Sequence, residues 1–297
     1  MKLLLCLLLV STSFAFAKTS KKAKPAKAFP SKVHLDKVAS CTVKDPTKMV
    51  WVLKQWHLAP KTVTKGFKEK YAQEKNQTAI YHVLEEGVKR GEFDLIVSEG
   101  CEGEINSDFT PTFNGWDYTS LKAQAFQKGY DKILTLVPLK VEAKYGDKVA
   151  TFCGDNLAQI QEGLEKSSNL RGWMGFYIRL NEFKDNPEKL KLYTDSAAEL
   201  LKISKDTPRD KMLAQIKDRI KDELAAFRNS LYARNDSFVK LLQEHDFKHA
   251  AVVVGGLHAA DLRDKLEKAG LGCEIYEPPG YQPEDEKLVD DFQKAVN

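Results

Sequence analysis

Hydrophobic positions along the chain follow two periods. Short, nearly continuous apolar runs recur at Met49–Leu53 (MVWVL), Asp94–Ser98 (DLIVS), Val149–Cys153 (VATFC) and Ala250–Val254 (AAVVV), each bounded by polar or turn residues. Runs of this kind suit strands covered on both faces, as in a parallel sheet. A fifth run, Gly272–Tyr276 (GCEIY), reads as an edge strand. Between them the apolar residues take a helical spacing. Thr78–Lys89 precedes the second strand with Gly91 as its stop, Leu157–Lys166 follows the third, and Ala259–Ala269 follows the fourth with Gly270 as its stop. Strands alternating with helices predict an α/β fold, with a mostly parallel central sheet and flanking helices.

Residues 187–245 break that alternation. They hold two long helical patterns and no strand, which predicts a helical insertion or cap. Within it Leu213, Ile216, Ile220, Leu224, Phe227, Leu231, Arg234, Phe238 and Leu241 advance by threes and fours along a single stripe. Arg234 occupies a core position of that stripe. A buried guanidinium needs a partner, so Arg234 is expected to meet a carboxylate, with Glu99 the first choice.

In open parallel sheets ligands gather beyond the carboxyl ends of the strands. Four strand ends here deliver chemistry-bearing groups within a few residues: His57 after MVWVL, Glu99 after DLIVS, Asp155 after VATFC and His258 after AAVVV. Each alone has a plainer explanation; a strand-end His is usually a loop residue, and Asp155 could be a helix N-cap. Together they match the imidazole and carboxylate ligands of a catalytic metal site that leaves one position for water. His57, Glu99 and His258 are the expected metal ligands. Glu99, Asp155, Arg234 and His258 are the expected catalytic groups. His82 beside Glu85 and Glu86, and His245 and His249 near a helix end, read as solvated positions. Nothing in the chain matches a phosphate-binding Walker loop, a dinucleotide glycine fingerprint, HExxH or GxSxG.

Composition changes the picture mainly at the amino terminus. Lys2, the apolar run to Val10 and Ala15-Phe16-Ala17 form a secretion signal over residues 1–17, with cleavage near Ala17 and a mature start at Lys18. Residues 18–45 read as a basic flexible leader, 46–280 as the α/β domain and 281–297 as a C-terminal helix or tail. The net charge of +4 is local in origin. Seven lysines and no acid lie in residues 1–32, so the remainder nets 4 − 7 = −3. An acidic body argues against a nucleic-acid partner, and no later segment is long and apolar enough to span a bilayer. Homo-oligomerisation stays open. Cys41, Cys101, Cys153 and Cys273 remain after cleavage, and an oxidising compartment permits bridges among them. Four cysteines allow three pairings, none singled out here; Cys153, in a buried run, can equally pack as a small hydrophobe.

The ordered set of Gly255-Gly256-Leu257-His258, Glu99 in IVSEG, Ala233-Arg234-Asn235 and Gly154-Asp155-Asn156-Leu157-Ala158-Gln159 resembles a known superfamily. It comprises the TraB/GumN-type proteins, the Tiki metalloproteases, the erythromycin esterases and the haem-binding ChaN proteins. Its pattern is a GxxH after the first strand, a strand-end glutamate, an RN helix motif and a second GxxH. The resemblance runs from about residue 49 to 277. Lys54 stands where the first GxxH has glycine, and Asp155 where the pattern has glutamate. The resemblance implies an exported metal-dependent hydrolase of peptidase or esterase type, using Mn, Co or Zn on a peptide or small ester. A secreted or periplasmic haem- or metal-binding protein without turnover is the alternative, with Trp56, Trp116 and Trp173 as an apolar mouth for haem.

Overall fold

The computed structural model describes residues 32–56, 69–106 and 137–296. Seven strands form one sheet: β1 (Asp36–Ser40), β2 (Met49–Gln55), β3 (Leu95–Ser98), β4 (Glu102–Glu104), β5 (Ala150–Gly154), β6 (His249–Gly255) and β7 (Gly272–Glu277). Their spatial order is β1-β7-β2-β6-β3-β5-β4. The five inner strands run parallel, and β1 and β4 close the two margins antiparallel to β7 and β5. The expected α/β architecture with a mostly parallel sheet is therefore what the chain adopts. Parallel pairing puts Gln55, Ser98, Gly154 and Gly255 at one edge of the sheet, where the loops that follow can meet.

Helices cover both faces. On one face α1 (Glu69–Lys89) and α2 (Val137–Tyr145) bury Ile80, Leu84 and Val141 against Trp51, Leu53, Ile96 and Val253. On the other, α6 (Ala259–Lys268) and the end of α5 (Arg209–Glu244) bury Leu262, Leu266, Phe238 and Leu242 against Val50, Val52, Val97 and Val252. Strand residues alternate between the two clusters, which is why their sequences lack polar positions. At about 25 cal/mol per Å² of apolar surface, this two-sided burial is the main force holding the helices against the sheet.

A third cluster belongs to helices alone. Leu170, Met174 and Leu180 of α3 (Leu157–Glu182), Ala197 and Ala198 of α4 (Pro187–Leu201), and Met212, Ile216, Ile220 and Leu224 of α5 form it. Thirty-six residues make α5 about 54 Å long, so its first half builds this helical layer while its last turns rest on the sheet. Asn156 caps α3 by accepting from the Ala158 and Gln159 amides, and Asn186 with Pro187 starts α4. The helical layer thus begins at Leu157 and not at residue 187, and α5 cannot be separated from the domain it was expected to cap. The segment Glu284–Val296 is helical, as α7. Val289 and Phe292 of that helix pack on the helical cluster.

Three sequence expectations need correction. Gly272–Tyr276 is no edge strand: it lies between β1 and β2. The margin is taken by β1, inside the stretch 18–45 expected to be flexible, because its backbone pairs with β7 and Cys41 is bonded to Cys273. Cys153 is not a lone packed thiol, since it is bonded to Cys101.

Candidate functional site

Glu99 leaves β3 at the carboxyl edge of the sheet, its amide donating to the Val253 carbonyl at 3.1 Å. Its side chain is buried and fully engaged on one oxygen. Oε1 accepts from Gln55 Nε2 at 2.8 Å and from the Gly255 amide at 2.7 Å. Donors from the two strands on that side, β2 and β6, thereby aim Oε2 away from the sheet. Oε2 lies 3.1 Å from His258 Nε2 and 3.9 Å from Arg234 Nη2.

His258 is buried at the end of a single 3-10 turn, Gly256–His258, that joins β6 to α6. Asn235 fixes the ring. The Asn235 Nδ2 donates to the His258 carbonyl at 3.1 Å and to Asp261 Oδ2 at 2.9 Å, so its Oδ1 faces His258 Nδ1 at 2.7 Å. An amide oxygen only accepts, so Nδ1 carries a hydrogen and Nε2 is the atom presented to Glu99. The Phe238 ring stands edge-on to the imidazole with centroids 6.0 Å apart and closes its apolar side.

Arg234 fulfils the expectation of a buried, paired cation, but its main partner is Asp155 and not Glu99. Nε and Nη2 donate to the two Asp155 oxygens at 2.7 Å each, a bidentate pair. Burial works against the guanidinium charge; the Asp155 contacts and the nearby Glu99 outweigh it and hold its pKa above the usual value. Packing explains why Asp155 wins. Phe238, one turn beyond Arg234 on the same helix face, presses on Gly154, where an added Cβ would collide with its ring and with Val97. That contact seats α5 on the end of β5 and sets Arg234 beside the next residue, Asp155. The N-cap role open to Asp155 goes to Asn156, and the Asp155 side chain is wholly buried.

Chain path adds a further link. Between β3 and β4 the backbone crosses the carboxyl end of β5, through Glu99, Gly100 and Cys101. Gly100 takes a φ of +85°, and its amide donates to Asp155 Oδ2 at 2.5 Å. Cys101 is bonded to Cys153 beneath the crossing.

Of the sequence-predicted residues, Glu99, Asp155, Arg234 and His258 come together, while His57 lies outside the described residues. So does Trp116; Trp56 is buried, and Trp173 packs within the helical cluster. Lys54, at the position of the missing glycine, is also buried. Its Nζ contacts Glu277 and Glu286 at 2.8 Å each, which ties the end of β2 to the start of α7. One site residue escaped the sequence reading: Gln55 is an ordinary polar residue at a strand end, signalled only by its place beside a predicted site. Asn235, quoted within Ala233-Arg234-Asn235 but given no role there, follows Arg234 directly and shares the helical turn that faces His258.

A neutral His258 Nε2 and an ionised Glu99 Oε2 both accept, so their 3.1 Å contact requires a proton on one of them or a cation held by both. With Nδ1 taken by Asn235, the pair fits two ligands of one divalent ion, in the way ligating histidines commonly have their other nitrogen fixed. Among the described residues no group of three or more His, Cys, Asp and Glu stands ready to hold a metal, and the third expected ligand is His57. No helix among the described residues is long and apolar enough to cross a membrane. Comparison with protein-family models, curated proteins and solved structures yields no match.

Proposed function

We propose that the chain is an exported metal-dependent hydrolase of peptidase or esterase type, working at the Glu99–His258 pair. The observation that carries this reading is the 3.1 Å approach of Glu99 Oε2 to His258 Nε2, with every other polar atom of the two side chains already assigned a partner. Glu99, His258 and His57 would hold a Mn, Co or Zn ion, which when bound supplies an activated water and a polarised substrate carbonyl. The chain's own residues do the rest. Glu99 accepts or returns a proton at Oε2. Asn235 keeps His258 in the tautomer that exposes Nε2. Arg234, locked by Asp155, holds positive charge next to Glu99 where a carbonyl oxygen would become anionic. The likeness to the TraB/GumN–Tiki–erythromycin esterase superfamily supports the same chemistry. Two disulfides support an oxidising compartment, and therefore export; the Lys18 start rests on the Ala15-Phe16-Ala17 signal alone.

The test is a panel of peptides and small esters assayed with and without a chelator and with Mn²⁺, Co²⁺ or Zn²⁺ restored. Hydrolysis should depend on metal and fall at least ~10²-fold in Glu99→Ala and in His258→Ala. Metal uptake without turnover would make the protein a binding module. Undiminished activity in both variants would end the proposal.

A further inference from the structure

We infer that the Cys101–Cys153 disulfide is a positioning element of this site, so that the crossing from Glu99 to Cys101 takes its working place over Asp155 only after the bond has formed. The inference takes what the site does from the proposed function, but it takes where the residues stand from the geometry alone.

Cys101 lies two residues beyond Glu99, and Cys153 two residues before Asp155. In the sheet Cys153 is level with Ser98 of β3 on one side and with Gly103 of β4 on the other. The bond therefore fastens the crossing to the strand it passes over, directly behind both acids. Beyond the crossing the chain is held by the β4–β5 ladder and the buried Ile105, but the turn itself is free to rearrange. Gly100 and Gly103 both take positive φ, of +85° and +92°, and glycine is the residue with most freedom to leave such a conformation. The strand that receives the crossing, β4, is three residues long and exposed throughout. The Gly100 amide on Asp155 Oδ2 and the Glu99 contact with His258 both depend on where this short segment lies. Misplacement by about 1 Å at such a site costs on the order of 10²-fold in rate.

Both cysteines are nearly inaccessible, at 1% and 2% exposure, so solvent thiols do not reach the bond in the folded chain. It is set during folding and not toggled afterwards. Its formation oxidises the two thiols, which pass two electrons and two protons to a thiol–disulfide oxidant whose own disulfide becomes two thiols. Such oxidants act outside the reducing cytosol, so the site would stay unassembled until the chain has been exported. The second disulfide, Cys41–Cys273, joins β1 to β7 at the far margin of the sheet and serves as the internal control.

The test compares the mature chain with Cys101→Ser/Cys153→Ser and with Cys41→Ser/Cys273→Ser. The readouts are the ¹⁵N resonances of the His258 ring, Zn²⁺ affinity by titration calorimetry and far-UV circular dichroism. The site pair should keep a folded spectrum, lose the wild-type ring resonances and bind Zn²⁺ at least tenfold more weakly. The far pair should unfold at lower temperature with ring resonances and Zn²⁺ affinity intact. Wild-type resonances and affinity in the site pair would overturn the inference. Should that variant fail to fold, Cys41→Ser/Cys273→Ser, which retains only the site disulfide, is refolded with and without reductant. A reduced chain that folds with a displaced His258 ring supports the inference. One that folds with the wild-type ring, or cannot fold at all, overturns it, the latter by making the bond a condition of the fold. If the wild type binds none of Zn²⁺, Mn²⁺ and Co²⁺, the hydrolase reading falls, and the ring resonances still decide the role of the disulfide.

Discussion

Arg234 and Asp155 face each other across the gap between α5 and β5 with two parallel hydrogen bonds of 2.7 Å; the Asp155 side chain is wholly buried and that of Arg234 mostly so. A pair held in that way is more costly to halve than to remove, because the surviving member keeps its charge in a dry place. Arg234→Met fills the helix stripe, yet it strands Asp155. It should therefore destabilise the protein by about 3–5 kcal/mol, as should Asp155→Leu, which strands Arg234. The double variant should recover a substantial part of that loss. Urea unfolding of the four proteins measures the coupling, and additive losses would show that the pair is not a unit.

Asn235 is expected to act on His258 without touching substrate. Asn235→Ala removes the acceptor at Nδ1 and frees the ring to place its hydrogen on either nitrogen. Activity or metal affinity should fall about 10–100-fold, the usual range for groups that orient a ligand. The ¹⁵N spectrum of the ring should change from one dominant tautomer to a mixture. An unchanged ring spectrum would remove Asn235 from the site.

Acid stability should depend on Glu85. Burial opposes its ionisation, but the Tyr145 and Tyr81 hydroxyls and the Lys89 ammonium outweigh it and hold the carboxyl at about 2. A carboxyl depressed on folding contributes stability that is complete above its unfolded pKa, near 4.5, and lost as pH falls toward about 2. The urea midpoint of the wild type should decline over that window. Glu85→Gln should start lower at pH 6 and decline less.

Gly256 is the second position of the GGLH turn, and an added Cβ there would run into the Tyr281 hydroxyl and the Glu286 carboxylate. Gly256→Ala should cost about 1–3 kcal/mol by forcing the segment before α7 off the strand ends. Adding Tyr281→Phe should restore part of it by removing one obstructing atom. Thermal unfolding of the single and double variants checks both expectations.

The inner strands were legible because each is buried on two faces, which leaves near-continuous apolar runs such as AAVVV. The two marginal strands were not. DKVAS in β1 and EGE in β4 are exposed, and their place comes from backbone pairing and a disulfide that leave no hydrophobic signature. Arg234 was legible because a charge in a stripe of Leu, Ile and Phe contradicts its surroundings. Its partner was not, since both Glu99 and Asp155 stand at strand ends and only the seating of Phe238 on Gly154 chooses between them. The carboxyl half of α3 was missed for a local reason: Ser167, Ser168, Asn169 and Gly172 interrupt the helical pattern, and packing against α5 overrides that weak preference.

The bond between Cys41 and Cys273 encloses everything between them, with 232 positions from one cysteine to the other. Glu99, Asp155, Arg234 and His258 all lie inside that ring. Tension applied at the two ends of the chain enters through β1, crosses the sulfur bridge and leaves through β7. Its covalent path bypasses the whole enclosed segment. A pull between the two ends therefore cannot draw out the enclosed segment while the bond lasts.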